Sequence, residues 1–199
     1  VASRLNAESM VHGGIEIAFA GARHRIDLER LTGRHLTIYG QTEVTRDLMQ
    51  ARDAAGYPAV YEADDVSVHD FEGPRPRVRY RKDGRTHEIA CDIIAGCDGF
   101  HGVCRPSVPE SAITTYERTY DFAWLGLLSK TPPVSDEIIY ASHERGFALC
   151  SMRSPTLSRC YVQVPLEARL EDWPDDRFWD ELKLRLDPDA AARLVTGPS

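Results

Sequence analysis

The run CDIIAGCDGFHG, from Cys91 to Gly102, constrains the fold of this chain more than any other segment. It opens as a buried strand reads, with Ile93, Ile94 and Ala95 in a row. It closes in a cluster of Gly, Asp and His, with Arg105 just beyond. A strand that ends on a Gly-flanked Asp and runs toward a helix or turn is a frequent ligand site of α/β folds, because ligands sit beyond the carboxyl ends of parallel strands. Gly96, Gly99 and Gly102 would let the backbone approach a bulky ligand closely. A plainer reading is a tight turn with a capping Asp, and this segment alone is equally compatible with both. His101 and Arg105 favour the ligand: four apart on a short helical turn, they offer two donor groups to a pyrophosphate.

The rest of the chain divides by texture. In GGIEIAFAGARHRIDL, apolar Ile15, Ile17 and Phe19 alternate, the chain turns at Gly21, and a second strand carries Ile26 and Leu28, which predicts a hairpin. HLTIYG reads as a short strand. QTEVTRDLMQARDAAG places Val44, Leu48, Met49, Ala51 and Ala55 at helical spacing, with Gly56 placed to end the helix. Further strands are expected in VYEADDVSVHDF and PRVRYRKDGRTHEIAC, the latter turning at Asp83-Gly84. Beyond Pro109 the strands lengthen: YDFAWLGLLS, EIIYASH, GFALCSMRS and SRCYVQVPL predict an antiparallel sheet. DWPDDRFWDELKLRL predicts a helix, with Pro174 in its first turn and Phe178, Leu182 and either Leu184 or Leu186 facing inward.

Composition removes several function classes. With 199 residues and 42% hydrophobic content, the chain has room for one sizeable core or two small ones. Its 31 Asp and Glu outnumber its 24 Lys and Arg, a net charge of -7 that argues against a nucleic-acid partner. No apolar run approaches the roughly 20 residues of a membrane-spanning helix, and no secretory signal is evident, so a cytoplasmic location is expected. Five cysteines in an odd count, with no Cys-x-x-Cys, read as buried and inert thiols, with no disulfide framework and no metal site.

Asp98-Gly99 followed by Arg105 resembles the motif with which the flavoprotein aromatic hydroxylases serve both FAD and the reduced nicotinamide. Four further segments, IYGQTEVTRDLM, FAWLGLL, GFALCSMRS and YVQVPL, resemble members of that family in the right order. The resemblance runs from about Val11 to Ser199. It implies a mixed α/β chain: part of a glutathione-reductase-like FAD-binding domain plus an antiparallel substrate sheet. Residues 1–40 would supply substrate-side strands, 41–108 a portion of the FAD-binding domain, and 109–199 the substrate sheet with its following helix.

The resemblance also implies an activity, FAD-dependent hydroxylation of 4-hydroxybenzoate to 3,4-dihydroxybenzoate with NADPH or NADH and O2, in a homodimer that degrades aromatic compounds. Gln41, Asp98, His101, Arg105 and Arg159 would face the cofactors, Asp98 as part of the motif that serves both and His101 and Arg105 toward the nicotinamide nucleotide. Ser151, Met152, Arg153 and Tyr161 would surround the substrate. The chemistry suits the side chains: Ser151 and Arg153, two apart on a strand, leave the same face, and a guanidinium fork matches a carboxylate bidentately. Tyr140 would hydrogen-bond the phenol oxygen, since oxygen transfer to an aromatic ring is far easier on a phenolate than on a phenol. Trp124 would pack near the flavin, or simply in the core. The alternatives are a flavin hydroxylase of another phenolic acid and a non-catalytic piece that keeps only the sheet.

The family opens on a Gly-x-Gly-x-x-Gly turn for the FAD pyrophosphate, and this sequence has none. The chain therefore reads as an internal fragment that carries most of the substrate pocket and part of the flavin site. A carboxylate pocket also sets a geometric condition. If Ser154 stood opposite Arg159 in the last hairpin, Tyr161 would point to the other side of the sheet from Ser151 and Arg153. A common pocket calls for a connection centred near Leu157 with Arg153 opposite Tyr161, with or without a bulge.

Overall fold

The structure is a computed structural model and describes residues 2–199. In chain order its elements are α1 (Ala2–Glu8), β1 (Met10–His12), β2 (Gly14–Phe19), β3 (Ala22–Asp27), α2 (Leu28–Thr32), β4 (Leu36–Ile38), α3 (Gln41–Ala54), β5 (Asp64–His69), β6 (Arg77–Lys82), β7 (Arg85–Ala90), α4 (Cys104–Ser107), β8 (Phe122–Ser129), β9 (Ile139–Ala141), β10 (Ala148–Ser154), β11 (Leu157–Pro165), α5 (Asp175–Arg185) and α6 (Pro188–Arg193). They form two units, one from the residues up to Arg52 together with Thr119–Ser199, the other from Asp53–Arg118. Among the described residues, no helix is long and apolar enough to cross a membrane.

The first unit is built on a six-stranded sheet of order β3-β2-β9-β10-β11-β8. The predicted hairpin forms as β2 and β3, turning on Ala20 and Gly21, which have φ of 50° and 75°, the doubly left-handed turn that suits the twist of a hairpin. Leu28 begins α2 instead of continuing the strand, because Asp27 caps that helix through the Arg30 backbone N–H. The strands beyond Pro109, β8 to β11, pair antiparallel as expected, and the sheet becomes mixed where β2 joins it parallel to β9, with Ile17 opposite Tyr140. Pairing between strands so distant in sequence leaves no local signature.

One face of the sheet carries the core. Ala148, Cys150 and Met152 of β10 alternate with Leu149 and Ser151, and Ser158, Cys160, Val162 and Val164 of β11 alternate with Arg159, Tyr161 and Gln163. The even-numbered set is buried, and the core cluster it forms includes Phe178, Trp179 and Leu182 of α5. Each large apolar side chain buried there contributes about 1.5–3 kcal/mol. Pro174 precedes α5 as its cap instead of entering its first turn, and of the two alternatives Leu186 is the buried one, Leu184 being 57% exposed. Buried Arg185 ties the helix to the sheet by donating from Nη1 to the carbonyls of Phe147, at 3.2 Å, and Gln163, at 2.7 Å.

Helix α3 forms as predicted and Gly56, at φ 71°, follows its end, but its apolar side is not its buried side. Leu48 is 55% exposed, and the buried residue is Asp47. The reason is ionic. Arg4 of α1 binds Glu8, Glu43 and Asp47 together, and Tyr39 Oη donates to Asp47 Oδ2 at 2.9 Å. Burial pushes the Asp47 carboxyl up, and these partners outweigh it and hold it below the usual carboxylate range.

The second unit is a three-stranded antiparallel sheet, β5-β6-β7, with the predicted turn at Asp83-Gly84, both of positive φ. Ile93, Ile94 and Ala95 do not form the predicted strand, and Ile93 is 83% exposed. An apolar run becomes a strand only where a ladder receives it, and no described strand pairs with these residues.

Candidate functional site

The turn that joins β10 to β11 decides which side chains share a face. Pro155-Thr156 is a tight turn with Ser154 opposite Leu157. Continued in strict register, that pairing would set Ser151 against Cys160 and send Tyr161 into the core. It does not continue. The register shifts between Met152 and Ser154, so that Met152 lies opposite Ser158, Ser151 opposite Arg159 and Leu149 opposite Tyr161. Arg153 is the extra residue of a β-bulge, a device that re-aims side chains beside functional sites. The expected pairing of Arg153 with Tyr161 is thus incorrect by position, because the turn is tighter and sits nearer the β10 end than a connection centred on Leu157. The bulge nonetheless returns Ser151, Arg159 and Tyr161 to one side of the sheet.

That side is the open one. A single cross-strand row runs Ile17, Tyr140, Leu149, Tyr161, Gly126. Residues facing each other across neighbouring strands lie about 5 Å apart, so Tyr140 and Tyr161, two strands apart, start roughly 10 Å from one another. Phe147 flanks Tyr140, centroids 6.1 Å apart, and meets Trp124 edge-on at 5.3 Å. Trp124 is half-exposed on this face and does not belong to the core. The guanidinium of Arg159 stacks on the Tyr161 ring, 4.7 Å from its centroid.

Arg153 and Arg159 line a cavity of about 1190 Å³ in this unit, together with Gln41 at the start of α3, Tyr39 and Gly126. Neither arginine forms an ion pair with any carboxylate among the described residues. Burial, and then the nearby charge of Arg159, lower the pKa of Arg153 below the usual arginine value, and the group nevertheless stays cationic. Two neighbouring guanidinium groups left without an anion, one of them part-buried, make a site that an anion would complete.

Ser151 contributes differently from expectation. Its hydroxyl donates to the Arg159 carbonyl at 2.9 Å and so closes a bond within the sheet. Met152, on the opposite side of the strand, is fully buried. Its side chain belongs to the core and not to the open face, a consequence of strand alternation.

In the second unit Asp98 behaves as a cap. Its Oδ2 accepts from the Cys104 backbone N–H at 2.9 Å, and that bond, with the Cys104 thiol, holds the carboxyl below its usual range. Gly102 is required by this loop, since a Cβ there would lie 2.1 Å from Asp98 Cγ. Phe100 gathers the two donors: His101 meets its ring edge-on at 5.0 Å and the Arg105 guanidinium lies 4.9 Å from its centroid. Asp98 and Arg105 border a cavity of about 460 Å³. Cys97 is exposed in this loop, unlike the buried Cys150 and Cys160, because the segment is not a strand.

Sequence reasoning passed over Gly126 and His12. A glycine interrupting an apolar strand was the available signal for the first. His12 is buried with both ring nitrogens unpartnered, and burial lowers its pKa against the opposing pull of Glu137 and Asp136. Nothing local marks it.

Known proteins resemble this chain in sequence and in fold. The chain is 56% identical over 200 residues to p-hydroxybenzoate hydroxylase of Acinetobacter baylyi, covering all of this chain and 49% of that protein. The chain thus spans about half the length of that curated relative. Among solved structures, PqsL of P. aeruginosa in complex with 2-aminobenzoylacetate superposes with a TM-score of 0.76 at 18% identity, over 99% of this chain and 56% of that one. CmlS, a flavin-dependent halogenase, superposes with a TM-score of 0.70 at 14% identity, over 92% and 35%. The family model described as FAD binding domain matches residues 1–199, and the chain belongs to that family.

Proposed function

We propose that the full-length protein carrying this chain is an FAD-dependent monooxygenase that hydroxylates 4-hydroxybenzoate to 3,4-dihydroxybenzoate, with NADPH or NADH and O2 as co-substrates. The observation that carries the reading is a pair of arginines that line one cavity without a carboxylate partner among the described residues, Arg153 and Arg159, with Arg159 on the side of the sheet that presents Tyr140 and Tyr161. An aromatic acid with a phenol at its far end matches a cationic end and a hydroxyl end held apart on one face.

The residues present fit a flavin. The 1190 Å³ cavity has the volume for a large planar group, and Gln41 and Arg159 give it an amide and a cation suited to carbonyl and anionic edges. When bound, FAD supplies the oxygen-transfer chemistry. The chain's own residues do the rest. Arg153 holds the carboxylate, Tyr161 adds a donor beside it, and Tyr140 relays the phenol proton, accepting it as its own hydroxyl proton passes to water, and donates to the phenolate oxygen that makes the ring reactive. In the second unit, His101 and Arg105 are the donors available to a nicotinamide nucleotide. The protein is expected to act in the cytoplasm, as a homodimer, in the breakdown of aromatic compounds.

The test is a purified full-length protein. It should be yellow, and 4-hydroxybenzoate should accelerate its oxidation of NADPH or NADH with formation of the 3,4-diol. A flavin-loaded protein stimulated by a different phenolic acid instead would move the assignment to that substrate. A colourless protein with no stimulated oxidation would refute the enzyme reading.

A further inference from the structure

Gly126 stands inside β8, between Leu125 and Leu127. A glycine there weakens a strand, having no side chain to pack and more backbone freedom to lose. Its φ is not in the left-handed region, so the backbone would accept any residue. The obstacle is Tyr161, directly opposite on β11. A Cβ on Gly126 would lie 2.8 Å from Tyr161 Cε1, 3.1 Å from Cδ1 and 3.5 Å from Cζ. The tyrosine ring therefore rests over the glycine, with the Arg159 guanidinium stacked on it.

We propose that Gly126 is a positioning residue: its missing Cβ sets where the Tyr161 ring rests, and so where the Tyr161 hydroxyl meets the carboxylate of a bound phenolic acid. The proposal rests on the reading of Tyr161 as a carboxylate partner. Carbon atoms settle about 3.5–4.0 Å apart, so in Gly126→Ala the ring must move by roughly 0.7 Å or more, and the stacked Arg159 must follow or lose its contact. Misaligning a hydrogen bond to a charged carboxylate weakens binding by about tenfold to a hundredfold. At least a tenfold rise in the dissociation constant of 4-hydroxybenzoate is expected, about 1.4 kcal/mol.

The experiment is a calorimetric titration with 4-hydroxybenzoate of four full-length proteins: unsubstituted, Gly126→Ala, Tyr161→Phe and the double variant. Each single variant should bind more weakly. The double variant should bind nearly as Tyr161→Phe does, since a displaced ring without a hydroxyl leaves only the smaller shift of the stacked Arg159 to weaken binding further. At saturating substrate kcat should fall much less than KM rises. If Tyr161→Phe weakens binding and Gly126→Ala does not, the proposal is wrong and the substrate site stands. It is equally wrong if Gly126→Ala weakens binding by the same factor in both backgrounds. Unchanged binding in Tyr161→Phe would instead overturn the site reading beneath it. Should Gly126→Ala fail to fold, adding Tyr161→Leu removes the ring and should restore folding, and a double variant that stays unfolded refutes the steric argument.

Discussion

Replacing Arg153 by Met in the full-length protein should have two opposite effects, and the structure sets the sign of both. The guanidinium is part-buried, stands beside like-charged Arg159 and forms no ion pair among the described residues. Without substrate, the charge lowers stability through desolvation and repulsion. Met keeps the apolar stem and removes the charge, which should raise stability by about 0.5–1 kcal/mol. The full-length relative is about twice the length of this chain, and at that size the rise in Tm is roughly 0.5–1 °C. With substrate the balance reverses. Removing one partner of a part-buried, charge-assisted pair costs about 2–5 kcal/mol, a rise in Kd from roughly thirtyfold to a few thousandfold. Differential scanning calorimetry with and without 4-hydroxybenzoate measures both quantities on one sample. A variant that melts lower than the parent without substrate would mean that Arg153 already has a stabilising partner, and the argument for a poised anion site would fail. A variant that is more stable but binds equally well would place the carboxylate elsewhere.

Ser151→Ala should change substrate Kd less than about threefold, because the hydroxyl is committed to the Arg159 carbonyl, and should instead lower stability by the about 0.5–1.5 kcal/mol of one neutral hydrogen bond. A loss as large as that of Arg153→Met would show that the hydroxyl turns to the ligand. Tyr140→Phe should keep binding within a few-fold and lower the product formed per nicotinamide oxidised, and an unchanged ratio removes Tyr140 from the chemistry. Glu181 is held below its usual carboxyl range by Arg145, against the upward push of burial, with Arg185 adding a second bond. A depressed folded-state pKa means stability that is present above the unfolded value, near 4.3, and lost as pH falls through the folded one. Thermal melts from pH 6 to pH 3 should show the parent losing its advantage over Glu181→Gln across that window, and a difference independent of pH would contradict the pairing.

Local rules carried far in this chain. The hairpin turns at Ala20-Gly21 and Asp83-Gly84, the helix from Gln41 and the inward side of α5 at Phe178 and Leu182 all follow from residues within a few positions of one another. Turn chemistry and periodicity act at that range. The family motifs were legible for the same reason, each being short and contiguous. What depended on distant partners was not. Ile93-Ile94-Ala95 has the composition of a strand, but a strand exists only where a ladder accepts it. Asp47 is buried and Leu48 exposed because Arg4, far away in sequence, supplies the countercharge. Tyr140 shares a row with Tyr161 because β9 and β10 align them, and β2 extends the row through a parallel pairing that no local pattern encodes. The side to which Tyr161 points was the most delicate case. The alternation of β11 states only that Arg159 and Tyr161 go together, and the bulge at Arg153 decides whether they join Ser151 or face the core. Strand periodicity is two, so one inserted residue exchanges the faces, and only the assembled sheet shows where the insertion falls.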